Sequence, residues 1–160
     1  MIHFLLRTRQ ALFSPIQKIQ LNLQPKMLKG EHALLDLVDV LKEKHINRYM
    51  IVTTAGFIKR GTLQPFFERL DESNITYSIF HDVKPDPEIL DVENLKEYYI
   101  KEGCQGLIAI GGGSVIDCSK AALACVQTSH LDVKTVLETG RVSKTLPFFC
   151  RCTDDCWHRF

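Results

Sequence analysis

Apolar residues recur along the chain at two spacings, and the alternation between them predicts the elements. In residues 31–44, Leu34, Leu37, Val38 and Leu41 share one face at helical spacing and Lys42, Glu43 and Lys44 close the segment with solvated charge, which predicts a helix. Residues 48–53 (Arg-Tyr-Met-Ile-Val-Thr) form a short apolar run closed by Ala55-Gly56, the pattern of a buried parallel strand. Residues 57–72 return to helical spacing in their later part, with Pro65 near a first turn, where its missing N–H costs little. Residues 75–80 read as a second strand, and residues 82–88 (Asp-Val-Lys-Pro-Asp-Pro-Glu) as a loop fixed by two prolines. A helix over 90–102, a strand over 107–110 and a helix over 114–127 follow. Strands separated by helices of about 10–15 residues connect by right-handed crossovers, so the expected fold class is α/β, a parallel sheet with helices on both faces.

The composition narrows the class. With 160 residues, 45% of them apolar and 24% charged, the chain is expected to form one soluble domain. Twenty Lys and Arg nearly balance nineteen Asp and Glu, so neither nucleic acid nor an anionic membrane is an expected partner. The charge is unevenly placed. Five cations (Arg7, Arg9, Lys18, Lys26 and Lys29) precede the first acidic residue, Glu31, which leaves fifteen cations to face all nineteen acids over residues 31–160. Residues 1–30 are expected to pack on a domain over 31–149. Their basic start has some targeting character, but no apolar run is long enough for a signal-peptide core or for the ~20 residues of a membrane span, and a cytoplasmic location is expected. Three of the six cysteines (Cys150, Cys152 and Cys156) crowd into the last eleven residues beside the only Trp, Trp157, which is not the spread of a disulfide framework.

The chemistry lies where the third predicted strand meets the fourth predicted helix. Three consecutive glycines, Gly111, Gly112 and Gly113, let the backbone turn sharply and let a ligand approach with no Cβ in the way. The first-turn N–H groups from Ser114 onward carry the positive end of the helix dipole, so a phosphate or pyrophosphate is the natural occupant. The motif is neither the dinucleotide fingerprint Gly-x-Gly-x-x-Gly nor a P-loop. A ligand-free alternative stands beside it: Ser114-x-x-Asp117 is a capping-box spacing, in which Ser114 caps the Asp117 N–H and the carboxylate reaches back.

The run Gly111-Gly112-Gly113-Ser114 followed by Asp117 and Lys120, preceded by Lys84-Pro85-Asp86-Pro87-Glu88 and by Tyr-Met-Ile-Val-Thr-Thr54, resembles the N-terminal cofactor domain of the iron-containing alcohol dehydrogenases over residues 25–149. The resemblance implies the Rossmann-like domain of the dehydroquinate synthase-like fold. It implies that Gly111, Gly112, Gly113, Ser114 and Asp117 contact the pyrophosphate of NAD or NADP, and that Asp86 replaces an Asn or Asp lying near the cofactor. Thr54 stands where many members carry an Asp that holds the adenosine ribose, and without that carboxylate NADP is as acceptable as NAD. The implied chemistry is hydride transfer between a small alcohol or aldehyde and the nicotinamide, with Fe2+ or Zn2+ held by one Asp and three His of a second, helical domain, in an enzyme that is a homo-oligomer when intact. The histidines here (His3, His32, His45, His81, His130 and His158) are scattered singly, so no metal ligands or catalytic residues are expected on this chain.

The tail departs from the resemblance. After residue 148 the family continues with a strand and the loop Pro-Thr-Thr-Ala-Gly-Thr-Gly-Ser, whereas this chain reads Phe-Cys-Arg-Cys-Thr-Asp-Asp-Cys-Trp-His-Arg-Phe. Read one base later, Trp157-His158 must contain GGC, a Gly codon, and Asp154-Asp155 must encode Thr or Met. The shifted frame accommodates the whole family loop, so residues 150–160 are expected to be an out-of-frame tail that replaces the metal domain. Two functions follow as alternatives. One is a truncated iron-containing alcohol dehydrogenase, binding dinucleotide at most and inactive alone. The other is a free-standing nucleotide- or zinc-binding module without redox activity, its zinc held by Cys150, Cys152, Cys156 and His158, a spacing cramped for tetrahedral closure. The coding DNA separates the frame shift from a true terminus: read one base along, it should open a long frame carrying the metal domain, and an immediate stop codon would overturn the idea.

Overall fold

The computed structural model describes residues 33–128, 132–139 and 147–152. Strands β1 (Arg48–Val52), β2 (Thr76–Phe80), β3 (Gly106–Ile110) and β4 (Phe148–Cys152) form one parallel sheet in the order β2-β1-β3-β4. Beyond Arg48, β1 and β3 are apolar and buried at every position, because a strand covered on both faces has no solvent side for a polar residue to occupy. Register pairs Ile51 with Ile108 across β1 and β3, and Ile108 with Cys150 across β3 and β4.

Successive residues of these strands enter two separate cores. Ile51, Ile108 and Ile110 pack against α1 (Ala33–Lys42) through Leu34, Leu37 and Leu41, and against α3 (Gln64–Glu72) through Phe66 and Leu70. Met50, Leu107 and Ala109 face the other way, onto α4 (Ile89–Lys101), α5 (Gly113–Gln127) and α6 (Val133–Thr139) through Leu95, Tyr99, Ala121 and Val136. The expected α/β architecture, a parallel sheet with helices on both faces, is the one observed. No helix among the described residues is long and apolar enough to cross a membrane.

The boundaries differ from expectation where local chemistry intervenes. The later part of 57–72 is helical as expected, but a separate short helix precedes it, because Gly61 adopts the left-handed region (φ 68) and its N–H turns back to the Ile58 carbonyl at 3.0 Å. That closes a short α2 (Ala55–Arg60), and α3 starts afresh with Pro65 in its first turn. Strand β4 runs through residue 152, so the expected domain boundary at residue 149 falls inside a strand. Its side chains are apolar at every position but the exposed Arg151, which suits an edge strand on β3. Residues 1–30 and 153–160, with the acid-free segment, Cys156, Trp157 and His158, lie outside the described residues.

The thiols report the burial. Desolvation pushes Cys104 and Cys125 up to about 11 and Cys118 up to about 12. Cys150 is shifted the other way: a hydrogen bond from the Cys152 thiol lowers it, against the opposing effect of burial, and the Arg151 N–H adds to the lowering. Iodoacetamide at pH 8 followed by peptide mapping should therefore label Cys150 ahead of Cys104, Cys118 and Cys125. Equal labelling of Cys118 would mean that the α5 face of the core is open.

Candidate functional site

β1 is followed by a connection to β2 on one side and β3 by a connection to β4 on the other, so the crevice beyond their carboxyl ends is the topological switch point of the sheet. The glycine turn lies there, and its glycines do different work. Gly111 is still attached to the sheet, its N–H donating to the Cys152 carbonyl at 3.0 Å, and it then takes φ 150, a backbone that side chains rarely tolerate. A Cβ at Gly111 would stand 2.9 Å from Val115 Cγ2, so the turn also needs the missing side chain to pack against its own helix. Gly112 is the extended N-cap of α5, and its carbonyl accepts from the N–H groups of Val115 and Ile116 at 3.1 and 3.2 Å. Gly113 opens the helix, and a Cβ there would meet nothing within 4 Å among the described residues. Among the described residues, the space that a Gly113 side chain would enter at the first turn is therefore open.

The N–H groups of Gly113 and Ser114 precede the helical hydrogen-bond ladder, and α5 has no acidic residue in its first turn to offset the positive end of its dipole. The capping-box alternative fails on geometry. Because α5 begins at Gly113, Ser114 lies inside the first turn and not at the cap; its hydroxyl donates to the Pro85 carbonyl. Asp117 sits more than a turn above Gly112 and pairs with Lys120 at 3.6 Å. The reciprocal cap belongs to α4, where the Glu88 N–H donates to Asp91 at 2.8 Å, a partnership that the spacing Glu88-x-x-Asp91 could have disclosed.

The Ser114 bond draws the loop 84–88 onto the glycine turn and leaves Asp86 exposed beside it. Thr54 stands at the N-cap position of α2 just beyond β1, without a side-chain cap, and the β1–β3 register, Val52 opposite Ala109, puts Thr54 level with Gly111. The turn, Asp86 and Thr54 thus share one edge of the sheet, while Asp117 stands back along α5. Two features at that edge carry no sequence signal. Thr53 is fully buried at the end of β1, and its Oγ1 has no hydrogen-bond partner among the described residues. Asp82 bridges to Thr54 and lies 3.0 Å from His81 Nδ1.

Among the described residues no group of three or more His, Cys, Asp or Glu is placed to hold a metal ion. Cys150 and Cys152, two of the four ligands in the zinc alternative, lie on β4 and pack into the α1/α3 core. The other two, Cys156 and His158, are outside the described residues.

A sequence model of the family described as iron-containing alcohol dehydrogenase matches residues 24–153. Choline dehydrogenase of Bacillus subtilis is 40% identical over 76 residues, 48% of this chain and 19% of the relative. Alcohol dehydrogenase 4 of Schizosaccharomyces pombe is 33% identical over 93 residues, 58% of this chain and 22% of the relative. The matched stretch is therefore about a fifth of the length of these curated relatives. Among solved structures, sulfoacetaldehyde reductase from Bifidobacterium kashiwanohense in complex with NAD+ superposes with TM-score 0.67 at 23% identity, over 76% of this chain and 32% of that one. An iron-containing alcohol dehydrogenase from Thermotoga maritima gives TM-score 0.65 at 24% identity, over 75% and 33%. These structures share the fold.

Gly111→Ala should destabilise the fold by about 1–3 kcal/mol, since a side chain at this φ is strained whatever room Val115 yields. Urea denaturation checks this, and an unchanged midpoint would show that the turn is not held as described.

Proposed function

This chain belongs to the iron-containing alcohol dehydrogenase family, and on that premise we propose that the described domain is the half of an NAD- or NADP-dependent alcohol dehydrogenase that binds the dinucleotide. The observation that carries the proposal is the open, side-chain-free space at Gly113, in front of the uncompensated first turn of a 15-residue helix at the switch point of the sheet. The N–H groups of Gly113 and Ser114 would hold the pyrophosphate, with Gly111 and Gly112 shaping the turn. Asp117, its charge offset by Lys120, would border the phosphates, Asp86 would flank the cofactor, and Thr54 would face the adenosine ribose. The names of the relatives, among them an alcohol dehydrogenase and a choline dehydrogenase, support an alcohol or aldehyde as the second substrate.

The bound nicotinamide would accept or return the hydride that interconverts alcohol and carbonyl compound. The part of this domain in that reaction is to bind the dinucleotide and fix its orientation. The family's Fe2+ or Zn2+ does not fit the described residues, which offer it no ligand cluster, and no step is assigned to a metal here. With Fe2+ or Zn2+ added, the 160-residue chain is not expected to reduce NAD or NADP at the expense of an alcohol.

Titration calorimetry with NAD and NADP tests the reading. Gly113→Ala fills the open space with a methyl while suiting a helical position, so it should weaken dinucleotide binding tenfold or more with little change in melting temperature. Absence of binding by the parent chain, or undiminished binding by Gly113→Ala, would overturn it.

A further inference from the structure

We infer that the Ser114 side chain serves the site as a latch on the Lys84–Glu88 loop and not as a phosphate ligand, an inference that rests on the dinucleotide reading above. A serine hydroxyl has one proton to donate. In this structure it goes to the Pro85 carbonyl, 29 residues away in sequence. While that bond stands, the hydroxyl turns only lone pairs toward an anion, and these repel it. Ser114 then meets a phosphate through its backbone N–H, and its side chain acts on the ligand through the loop.

The loop is held from its other side as well. Asp91 is 5% exposed, and its carboxylate accepts from the Glu88 N–H at 2.8 Å on one oxygen and faces Lys84 Nζ at 3.2 Å on the other. Lys84 and Glu88 are the two ends of the loop, so one buried carboxylate fastens both ends while Ser114 fastens Pro85 between them. Pro85 and Pro87 lock φ on either side of Asp86. The Asp86 carboxylate is thereby set at the rim of the glycine turn, in position to accept from a ribose hydroxyl. Ser114 and Asp91 are positioning residues, and Asp86 is the group they position.

Two measurements on the full chain test this. In the free protein, hydrogen exchange at the Asp86 and Glu88 amides should quicken about fivefold in Ser114→Ala, as expected for one lost hydrogen bond, and return to the parent rate in Ser114→Thr, which restores a hydroxyl. In NAD titrations Ser114→Ala should raise Kd about fivefold in the parent background and leave it unchanged in the Asp86→Ala background, because the latch acts through Asp86. An equal loss in both backgrounds would make Ser114 a direct phosphate ligand and overturn the inference, as would unchanged exchange in Ser114→Ala. Quickened exchange in a chain that binds no NAD would instead refute the dinucleotide reading and leave the latch standing.

Discussion

The pairing of β1 with β3 is the constraint on which the molecule depends. Both strands are covered on two faces, so a polar side-chain group within either needs a protein partner; after Arg48 every position is buried, and the Tyr49 hydroxyl meets that need by donating to the Leu41 carbonyl at 3.0 Å. Polar chemistry is thereby pushed to the strand ends. At the start of β1, Arg48 donates to Ser78 in the middle of β2 and to Glu102 at 3.3 and 3.2 Å, and Ser78 donates to Glu102 at 2.8 Å, tying β1, β2 and the end of α4 together. At the carboxyl ends the equivalent space is left to Thr53, Thr54 and the glycine turn. One end of the sheet is closed by its own side chains, and the other holds a fully buried hydroxyl oxygen with no partner among the described residues.

The glycine triplet shows why a single motif needs more than one physical explanation. Gly111 answers to the fold, through its backbone angle and Val115. Gly113 carries no such constraint, since a Cβ there would meet nothing within 4 Å among the described residues. A triplet of identical residues therefore divides into one position where a side chain would strain the fold and another where the described residues leave room for one. The family relationship agrees with this division but does not supply it.

Much of the fold was legible in the chain. The apolar runs at 48–53 and 107–110 mark β1 and β3 because burial on both faces leaves a continuous signature, and Leu34, Leu37, Val38 and Leu41 mark α1 because one face of a helix leaves a periodic one. The helix that starts near Pro65 was legible in the same way, whereas the short α2 before it was not, since six residues carry little periodicity and the backbone angle at Gly61 decides where they end. Strand β4 was also hidden. Phe148–Cys152 has no strong strand pattern of its own and gains its conformation from the exposed edge of β3.

The site divides along the same line. A glycine-rich strand-to-helix turn, a twice-prolyl loop before it and the residue types that border them can all be read along the chain, because turn chemistry and helix termini are local properties. What those residues do to one another depends on how the helices pack. Ser114 and Asp117 read along the chain as a capping box, yet Ser114 reaches across 29 residues to Pro85, Asp117 turns to Lys120, and Asp91 takes up the cap at α4. A hydroxyl or carboxylate will accept any suitable partner within about 3 Å, and the packing of one helix against its neighbour, which no local spacing encodes, determines which partner that is.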